Sequence, residues 1–285
     1  MNIKSLQIHV PAGCPNRCKF CVAGQHKKGK YKNILSSEPE FYDASIGWAK
    51  ENGCNCMVIS STGEPLVNPN YIERVLKTNK SLTTPFRWIE LQTSGAGYDQ
   101  VDMHRLKELG LRTISLSLSS IWDSGENKEY NQARKNFFVN ITAICTDIID
   151  MGFNLRLSLN MTDYQLNRDR RTPKALIERA NDLGATSITF RKLYADFDTV
   201  QGKWIKEHGT NSHLWKCLTN YITANGTLGE RLPSGDVRYY INEMSTVIYD
   251  DCMDKKNDTD NFRYLILRPN GKLYTKWDND GSILF

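Results

Sequence analysis

The sequence lacks a long apolar run. No stretch of about 18 consecutive apolar residues occurs in the 285-residue chain, and its first ten residues lack the hydrophobic segment of a secretory signal. The eight cysteines are sparse and irregularly spaced, unlike those of a disulfide framework. These absences argue against a membrane-spanning protein and a disulfide-rich secreted domain. We therefore expect a cytoplasmic protein whose thiols stay reduced.

A strong excess of one charge is also missing. The formal net charge is +5, and the charged residues are spread along the chain. This balance argues only weakly for nucleic acid or an anionic lipid surface, so a nucleic-acid partner stays open but is not favoured. A chain of this length can bury a sizeable core as one α/β barrel domain.

Three of the cysteines lie close together in the sequence. They occur in the run Gly13-Cys-Pro-Asn-Arg-Cys-Lys-Phe-Cys21, after a short apolar stretch that predicts a first strand. Three soft thiolates on one loop suit an iron-sulfur cluster or a zinc ion. A cubane cluster with only three cysteine ligands leaves one iron open for chemistry. A structural zinc site would need a fourth ligand, for which His26 is the nearest candidate.

The CxxxCxxC spacing, with Phe20 before its last cysteine, resembles the signature of the radical S-adenosylmethionine (radical SAM) superfamily. The resemblance implies that Cys14, Cys18 and Cys21 hold one [4Fe-4S] cluster. It also implies that S-adenosylmethionine binds the fourth iron and that Phe20 lies against the adenine. The five other cysteines contain no CxxC pair, so we expect no second cluster.

A second motif ends the next predicted strand. The run Ser60-Ser-Thr-Gly-Glu-Pro65 resembles the Gly-Gly-Glu-Pro motif of the same superfamily, with Thr62 in place of the first glycine. The resemblance assigns cofactor binding to Thr62, Gly63, Glu64 and Pro65. Backbone carbonyls and the Glu64 carboxylate would accept hydrogen bonds from the amino group of the methionine moiety. An ordinary strand-to-helix turn is the alternative.

Short β-rich runs alternate with segments of helical period, which predicts repeated βα units around a parallel sheet. Gly110, Gly152 and Gly184 each follow a helix and precede a strand, as expected of C-terminal caps. The resemblance implies a partial (β/α)6 TIM-type barrel. We predict strands at 6–10, 57–60, 88–92, 113–118, 154–159 and 187–191, and helices at 39–52, 70–80, 98–109, 131–151, 173–183 and 212–225.

The pattern changes after residue 195. Residues 196–210 resemble a loop, and short β-like runs follow at 237–241, 246–249 and 264–267. The turn Arg268-Pro-Asn-Gly-Lys272 predicts a hairpin with 273–276. We predict that residues 1–195 form the barrel core. Residues 196–285 would add the last barrel helix and a small C-terminal antiparallel β cap to the same compact domain.

Active sites of parallel barrels lie at the carboxyl ends of their strands. Polar side chains at those ends in related enzymes contact the ribose and the methionine carboxylate. Each could instead cap a helix or face solvent in a turn. The candidates here are Thr93, Ser117, Ser119 and Asn160.

The sixth predicted strand ends with Arg191 and Lys192, whose side chains point to opposite faces. A buried guanidinium at the barrel mouth suits a carboxylate or phosphate, whereas the alternative is a packing salt bridge to Glu64 or Asp163. Basic runs at 26–32 and 168–171 could line the same mouth as an anion funnel. A later proton or electron transfer could use Tyr194, Asp163 or Cys252. We assign catalytic roles to Arg191, Tyr194 and Cys252.

The resemblance implies reductive cleavage of S-adenosylmethionine followed by hydrogen abstraction, with flavodoxin or ferredoxin as the reducing partner. The leading hypothesis is a small anionic substrate, such as a nucleotide, a pterin-like compound or a phosphorylated or carboxylated metabolite. The second is a macromolecule: RNA, a peptide or a glycyl-radical partner. The third is a zinc-stabilised binding domain without catalysis.

Overall fold

The computed structural model describes residues 5–25, 31–166, 170–232, 236–250, 264–277 and 279–284. They form an α/β fold around one sheet in which most strands are parallel. The strands are β1 Ser5–His9, β2 Cys56–Ser60, β3 Trp88–Thr93, β4 Thr113–Leu118, β5 Asn154–Asn160, β6 Ser187–Arg191, β7 Thr227–Arg231, β8 Val237–Ile241, β9 Met244–Tyr249, β10 Tyr264–Leu267 and β11 Leu273–Tyr274.

Helices separate the strands of the parallel part. Three of them have proline in their first turn, where the missing N–H costs no hydrogen bond. The three glycines predicted as caps have positive φ after α3, α5 and α6. The helices are α1 Pro39–Glu51, α2 Pro69–Ser81, α3 Met103–Glu108, α4 Ser124–Asn131, α5 Ile141–Asp150, α6 Pro173–Asp182, α7 Val200–His208 and α8 Ser212–Asn225.

The strand order is β11-β10-β1-β2-β3-β4-β5-β6-β9-β8-β7. The eight strands from β10 to β9 in this order run parallel. The pairs β7–β8, β8–β9 and β10–β11 are antiparallel. A largely parallel sheet with a small antiparallel region confirms the predicted fold class. The predicted cap needs correction, because β9 and β10 extend the parallel sheet beside β6 and β1.

The two faces of the parallel strands differ in polarity. In β5, Leu155, Leu157 and Leu159 are fully buried. Arg156 lies between two of these leucines and Asn160 follows the last, and both are polar and half-buried. This alternation follows from the two-residue period of a strand. The apolar face therefore packs under the helices, and the polar face lines the inside of the curved sheet.

Strands far apart in the order meet at one cavity, which shows how far the sheet curves. Gln7 and Cys56 from β1 and β2 line it together with Arg156, Thr189 and Tyr249 from β5, β6 and β9. Its volume is about 330 Å³. The inside of the partial barrel is therefore a polar cleft at this level rather than a packed apolar core.

Several boundaries differ from the prediction. The helix predicted from residue 131 begins at Ile141, where the Asn140 side chain caps Ala143 N at 3.1 Å. A separate helix, α4, precedes it, and α7 occupies most of the segment predicted as a loop. The sequence also does not predict strand β7, because its exposed residues lack an alternating pattern. Such short, polar elements depend on tertiary contacts more than on their own periodicity.

Candidate active site

The three clustered cysteines follow β1, at the carboxyl edge of the parallel sheet. We call residues 11–25 the cysteine loop. It lies against the turn that follows β2: Glu64 N donates to the Gly13 carbonyl at 2.9 Å. Asn68 Nδ2 donates to the Pro11 carbonyl at 2.9 Å. The two motifs found in the sequence, residues 13–21 and 60–65, are thus in direct backbone contact.

Gly63 makes this contact possible. A Cβ atom at this position would lie 2.3 Å from the Ala12 carbonyl oxygen and 2.5 Å from that of Gly13. Carbonyl groups of the loop backbone cannot move aside as a flexible side chain could. The requirement for glycine is therefore steric, set by the close approach of two backbone segments.

Glu64 ties the same turn to the end of β3. Its carboxylate is 2% exposed and accepts hydrogen bonds from Thr93 Oγ1 at 2.6 Å and from Ser94 N and Oγ at 2.8 and 2.6 Å. Leu66 N donates at 3.2 Å. Burial raises the pKa of Glu64, and these four donors oppose the rise. Its carboxylate is occupied within the protein, so its contact with a methionine amino group stays a prediction.

Helix α4 supports the other side of the cysteine loop. Arg17 N donates to the Asn131 carbonyl at 2.9 Å, and Lys19 N donates to the Tyr130 carbonyl at 3.2 Å. The Cys18 thiol lies 3.7 Å from Asn131 Oδ1. The loop backbone is therefore held from both sides, while its thiols lie between the two supports.

The donor set fits an iron-sulfur cluster. Cys14 is exposed, Cys18 and Cys21 are half-buried, and none forms a disulfide. Burial raises the pKa of Cys18, and the neighbouring Cys21 and Cys14 raise it further. Among the described residues, no three histidine, cysteine or carboxylate side chains converge as ligands of a single ion would. A cubane cluster does not require this convergence, because each thiolate binds a different iron.

Phe20 points into a small apolar cluster outside the main core. It is 9% exposed and packs with Tyr130 and Ile205. Its ring centroid lies 6.0 Å from that of Trp204 on α7. Helix α7, which the sequence did not predict, thus covers the residue expected to contact the adenine, and that contact stays a prediction.

His9 is a site residue that sequence reasoning missed. It ends β1, is 7% exposed, and its Nε2 lies 3.2 Å from Thr62 Oγ1 in the second motif. Its Nδ1 is buried and has no hydrogen-bond partner among the described residues. Burial and the positive charge of Arg268 lower its pKa to about 4. The signal that could have found it is its position as a polar residue at the end of a strand.

The strand-end candidates fall into two groups. Thr93 donates to Glu64, and Ser119 Oγ donates to Asn131 Oδ1 at 2.6 Å, so both serve internal networks. The side chains of Ser117 and Asn160 are half-buried and make no hydrogen bond within the described part of the chain. Pro65 is buried as the first residue of a 3-10 turn.

Arg191 and Lys192 point to opposite faces, as predicted from their alternation. Arg191 Nε donates to Ser158 Oγ at 3.2 Å, and its guanidinium lies 5.5 Å from the Tyr249 ring. Lys192 lies over Trp215 of α8 and pairs with Asp250 at 3.5 Å. The alternative salt bridge to Glu64 or Asp163 is wrong, since Arg191 forms no ion pair with any described residue.

The predicted anion funnel needs correction, because two of its described cations are paired with carboxylates of the protein. Arg171 pairs with Glu126 at 2.6 Å, and the ammonium group of the exposed Lys32 lies 3.9 Å from the Glu38 carboxylate.

The residues considered for a later proton or electron transfer make different contacts in the described part of the chain. Asp163 accepts a hydrogen bond from Tyr130 at 2.5 Å and lies 3.2 Å from His208 Nδ1. Tyr194 is half-buried, and its carbonyl accepts from Gln25 Nε2 at 3.0 Å. Cys252, His26 and residues 27–30 and 168–169 lie outside the described residues.

Comparison with known proteins identifies a family for this geometry. A family model described as the radical SAM superfamily matches residues 8–180. No curated protein matches the sequence. In the described part of the chain, we find no helix with the length and apolar character that crossing a bilayer requires.

Solved structures share the fold at low identity. SuiB of Streptococcus suis bound to S-adenosylmethionine has 13% identity and a TM-score of 0.63 over 99% of this chain and 63% of its own. SuiB bound to precursor peptide SuiA has 15% identity and a TM-score of 0.60. This match covers 96% of this chain and 59% of SuiB. HydG, a maturase of the [FeFe]-hydrogenase, has 16% identity and a TM-score of 0.55. This match covers 76% of this chain and 48% of HydG. This chain thus spans less than two thirds of their length.

We predict that Gly63→Ala displaces the cysteine loop. The added methyl group meets two backbone carbonyls, so we expect a loss of about 1–3 kcal/mol in the free energy of unfolding and a lower iron and sulfide content after anaerobic reconstitution. Gly47→Ala is the matched control, because the nearest atom to its new Cβ is 3.8 Å away in a side chain. Equal cluster content in both variants would contradict the steric role of Gly63.

We predict that His9 makes the protein less stable in mild acid. The pKa of His9 is about 4 in the folded state, against an ordinary value of about 6.5 in the unfolded chain. As pH falls from 6.5 towards 4, only the unfolded state gains this proton, so the free energy of unfolding falls. Urea denaturation at pH 7, 6 and 5 should show a shallower fall for His9→Phe. The exposed His104→Gln control should keep the original pH dependence; an unchanged slope in His9→Phe refutes the assignment.

Proposed function

This chain belongs to the radical S-adenosylmethionine superfamily and is therefore an enzyme, and we propose that it cleaves S-adenosylmethionine at one [4Fe-4S] cluster on Cys14, Cys18 and Cys21. We further propose that it abstracts a hydrogen atom from a small anionic substrate. The observation that carries the proposal is the backbone contact between the cysteine loop and the turn 60–65 at the carboxyl ends of β1 and β2.

The cofactors supply the difficult chemical step. When bound, the cluster provides one electron that breaks a carbon-sulfur bond of S-adenosylmethionine, which gives methionine and a 5′-deoxyadenosyl radical that removes hydrogen from the substrate. The chain's own task is to position the reactants and exclude water. The turn 60–65 is bonded to the cysteine loop through Glu64 N and would offer its backbone carbonyls to the cofactor. Ser117 and Asn160 would offer side chains that have no internal hydrogen-bond partner in the described residues.

Arg191 supports an anionic substrate. Its guanidinium lies on the polar face of the sheet, half-buried, and forms no ion pair among the described residues. A half-buried guanidinium favours a carboxylate or phosphate partner, to which it can donate two parallel hydrogen bonds. Tyr249 packs against Arg191. The cavity of about 330 Å³ that Tyr249 also lines is bounded by Ser5, Cys56 and Ser187, the first residues of β1, β2 and β6, so it lies towards the amino ends of the strands and apart from the proposed site.

A macromolecular substrate is the alternative. SuiB was solved with a precursor peptide, but the low identity to this chain carries over the fold alone. Peptide binding by this chain would therefore need its own experiment. We also propose a reducing partner of the flavodoxin or ferredoxin type and a cytoplasmic location, where thiols remain reduced.

The test of the proposed function is product formation under anaerobic conditions. We expect the protein reconstituted with iron and sulfide to form 5′-deoxyadenosine from S-adenosylmethionine when dithionite is added. Replacing Cys14, Cys18 or Cys21 by Ala should abolish both the cluster absorbance and the product. Cys145→Ala is the matched control, because this buried thiol lies on α5. Zinc binding without cleavage, or a full cluster in all three variants, would overturn the proposal.

We predict that Arg191→Gln separates substrate binding from cofactor binding. If the guanidinium holds the substrate, the affinity for S-adenosylmethionine and the uncoupled cleavage rate should stay within about twofold of the original. Phosphorylated and carboxylated metabolites that raise the Tm of the original protein should fail to raise that of the variant. Lys192→Gln is the control, because its side chain lies on the opposite face. A loss of S-adenosylmethionine affinity in Arg191→Gln alone would move this residue to the cofactor.

A further inference from the structure

We propose that the cysteine loop and residues 131–140 together form a docking surface for an acidic one-electron carrier protein. We call the side chains of Arg17, Lys19, Arg134 and Lys135 the basic rim. The proposal rests on the proposed function, because cleavage requires an electron from outside the chain. It adds the place at which the carrier binds and the charge by which it is recognised.

The basic rim has no acidic residue of its own. The segments 11–25 and 131–140 contain four cationic residues and no aspartate or glutamate. Arg17, Arg134 and Lys135 are exposed, and Lys19 is half-buried. Within the described residues, none of the four side chains forms an ion pair, although ten ion pairs of lysine or arginine occur elsewhere in that part of the chain. Their charge is therefore available to a partner.

Backbone hydrogen bonds fix the rim beside the thiols. Arg17 N and Lys19 N bind the carbonyls of Asn131 and Tyr130, and Arg134 N donates to the Pro15 carbonyl at 3.4 Å. The Asn131 side chain reaches the Cys18 thiol at 3.7 Å. The two segments thus run side by side, and a protein that binds to either is held close to Cys18.

Apolar side chains lie among these charges. Val22 of the cysteine loop is 37% exposed, and Phe138 is 45% exposed, with the Lys128 ammonium 5.7 Å from its ring. Transient interfaces combine such apolar contacts with a charged periphery. The mixture suits a protein surface better than a small anion, since the cations point to solvent on two segments and do not surround one pocket.

Electrostatics identifies the partner as acidic. Unpaired positive charge around a redox centre accelerates encounter with a negatively charged carrier and orients it. The small anionic substrate has a different site, because Arg191 lies on the polar face inside the curved sheet. The rim instead borders the cysteine loop: Arg134 N donates to the carbonyl of Pro15, the neighbour of the exposed Cys14.

The opposite end of the barrel provides a control. Lys80, Arg87 and Arg112 line a shallow cleft of about 390 Å³ near the amino ends of β3 and β4. Like Arg134 and Lys135 of the rim, these side chains are exposed and form no ion pair within the described residues. They are far along the strands from the cysteine loop. Reversing two charges there changes the net charge as much as reversing two in the rim.

The experiment compares Arg134→Glu/Lys135→Glu with Lys80→Glu/Arg112→Glu in the reconstituted full chain. We measure the Kd for oxidised flavodoxin at low and high ionic strength. We expect binding to the rim variant to be about tenfold weaker at low salt, and the control to stay within about twofold. The difference should vanish at about 0.5 M salt, where screening removes the attraction. Equal Kd values for the two variants would overturn the proposal.

A second measurement separates docking from chemistry. We compare 5′-deoxyadenosine formation driven by flavodoxin hydroquinone with that driven by reduced methyl viologen, a small cation. At low salt, the flavodoxin-driven rate of the rim variant should be about tenfold lower than that of the original protein, and its viologen-driven rate should be unchanged. Parallel loss of both rates refutes a docking role. If the original protein forms no product with either reductant but the difference in Kd persists, the proposed function fails and the docking surface stands.

Discussion

The buried Glu64 carboxylate is the contact on which the candidate site depends. A carboxylate away from water is costly unless donors surround it, and four donors from Thr93, Ser94 and Leu66 do so here. These bonds join the turn after β2 to the end of β3. Because Glu64 N also binds the Gly13 carbonyl, one residue holds the ends of β2 and β3 and the cysteine loop in a single arrangement.

This arrangement explains how a flexible-looking run of cysteines keeps a defined position. The loop contains no regular helix or strand apart from one 3-10 turn at Val22–Gly24. Its backbone is instead bonded to the β2 turn on one side and to α4 on the other. A site built on such fixed supports needs little reorganisation when its metal binds.

The division of the sheet into an apolar and a polar face has functional consequences. The apolar face supplies the packing energy through residues such as Leu157 and Ile188, which are fully buried. The polar face is then free to carry charge: Arg156 pairs with Glu90 at 2.9 Å, while Arg191 further along has no acidic partner among the described residues. The unpaired guanidinium lies nearer the carboxyl ends, where the thiols also are. The cation that is paired within the protein and the cation that is proposed to bind substrate thus lie at different positions along the strands.

The parallel sheet and the two motifs could be predicted from the sequence, because strand periodicity, glycine caps and cysteine spacing are local properties. Cys14, Cys18, Cys21 and Gly63 could be chosen from their neighbours in the chain. The internal hydrogen bonds of Glu64, the contact of His9 with Thr62 and the position of Arg134 beside the cysteine loop follow from the fold alone. The fold also places β9 and β10 in the parallel sheet. Such contacts join residues far apart in sequence, and they form only when burial and hydrogen bonding select one packing of the whole chain.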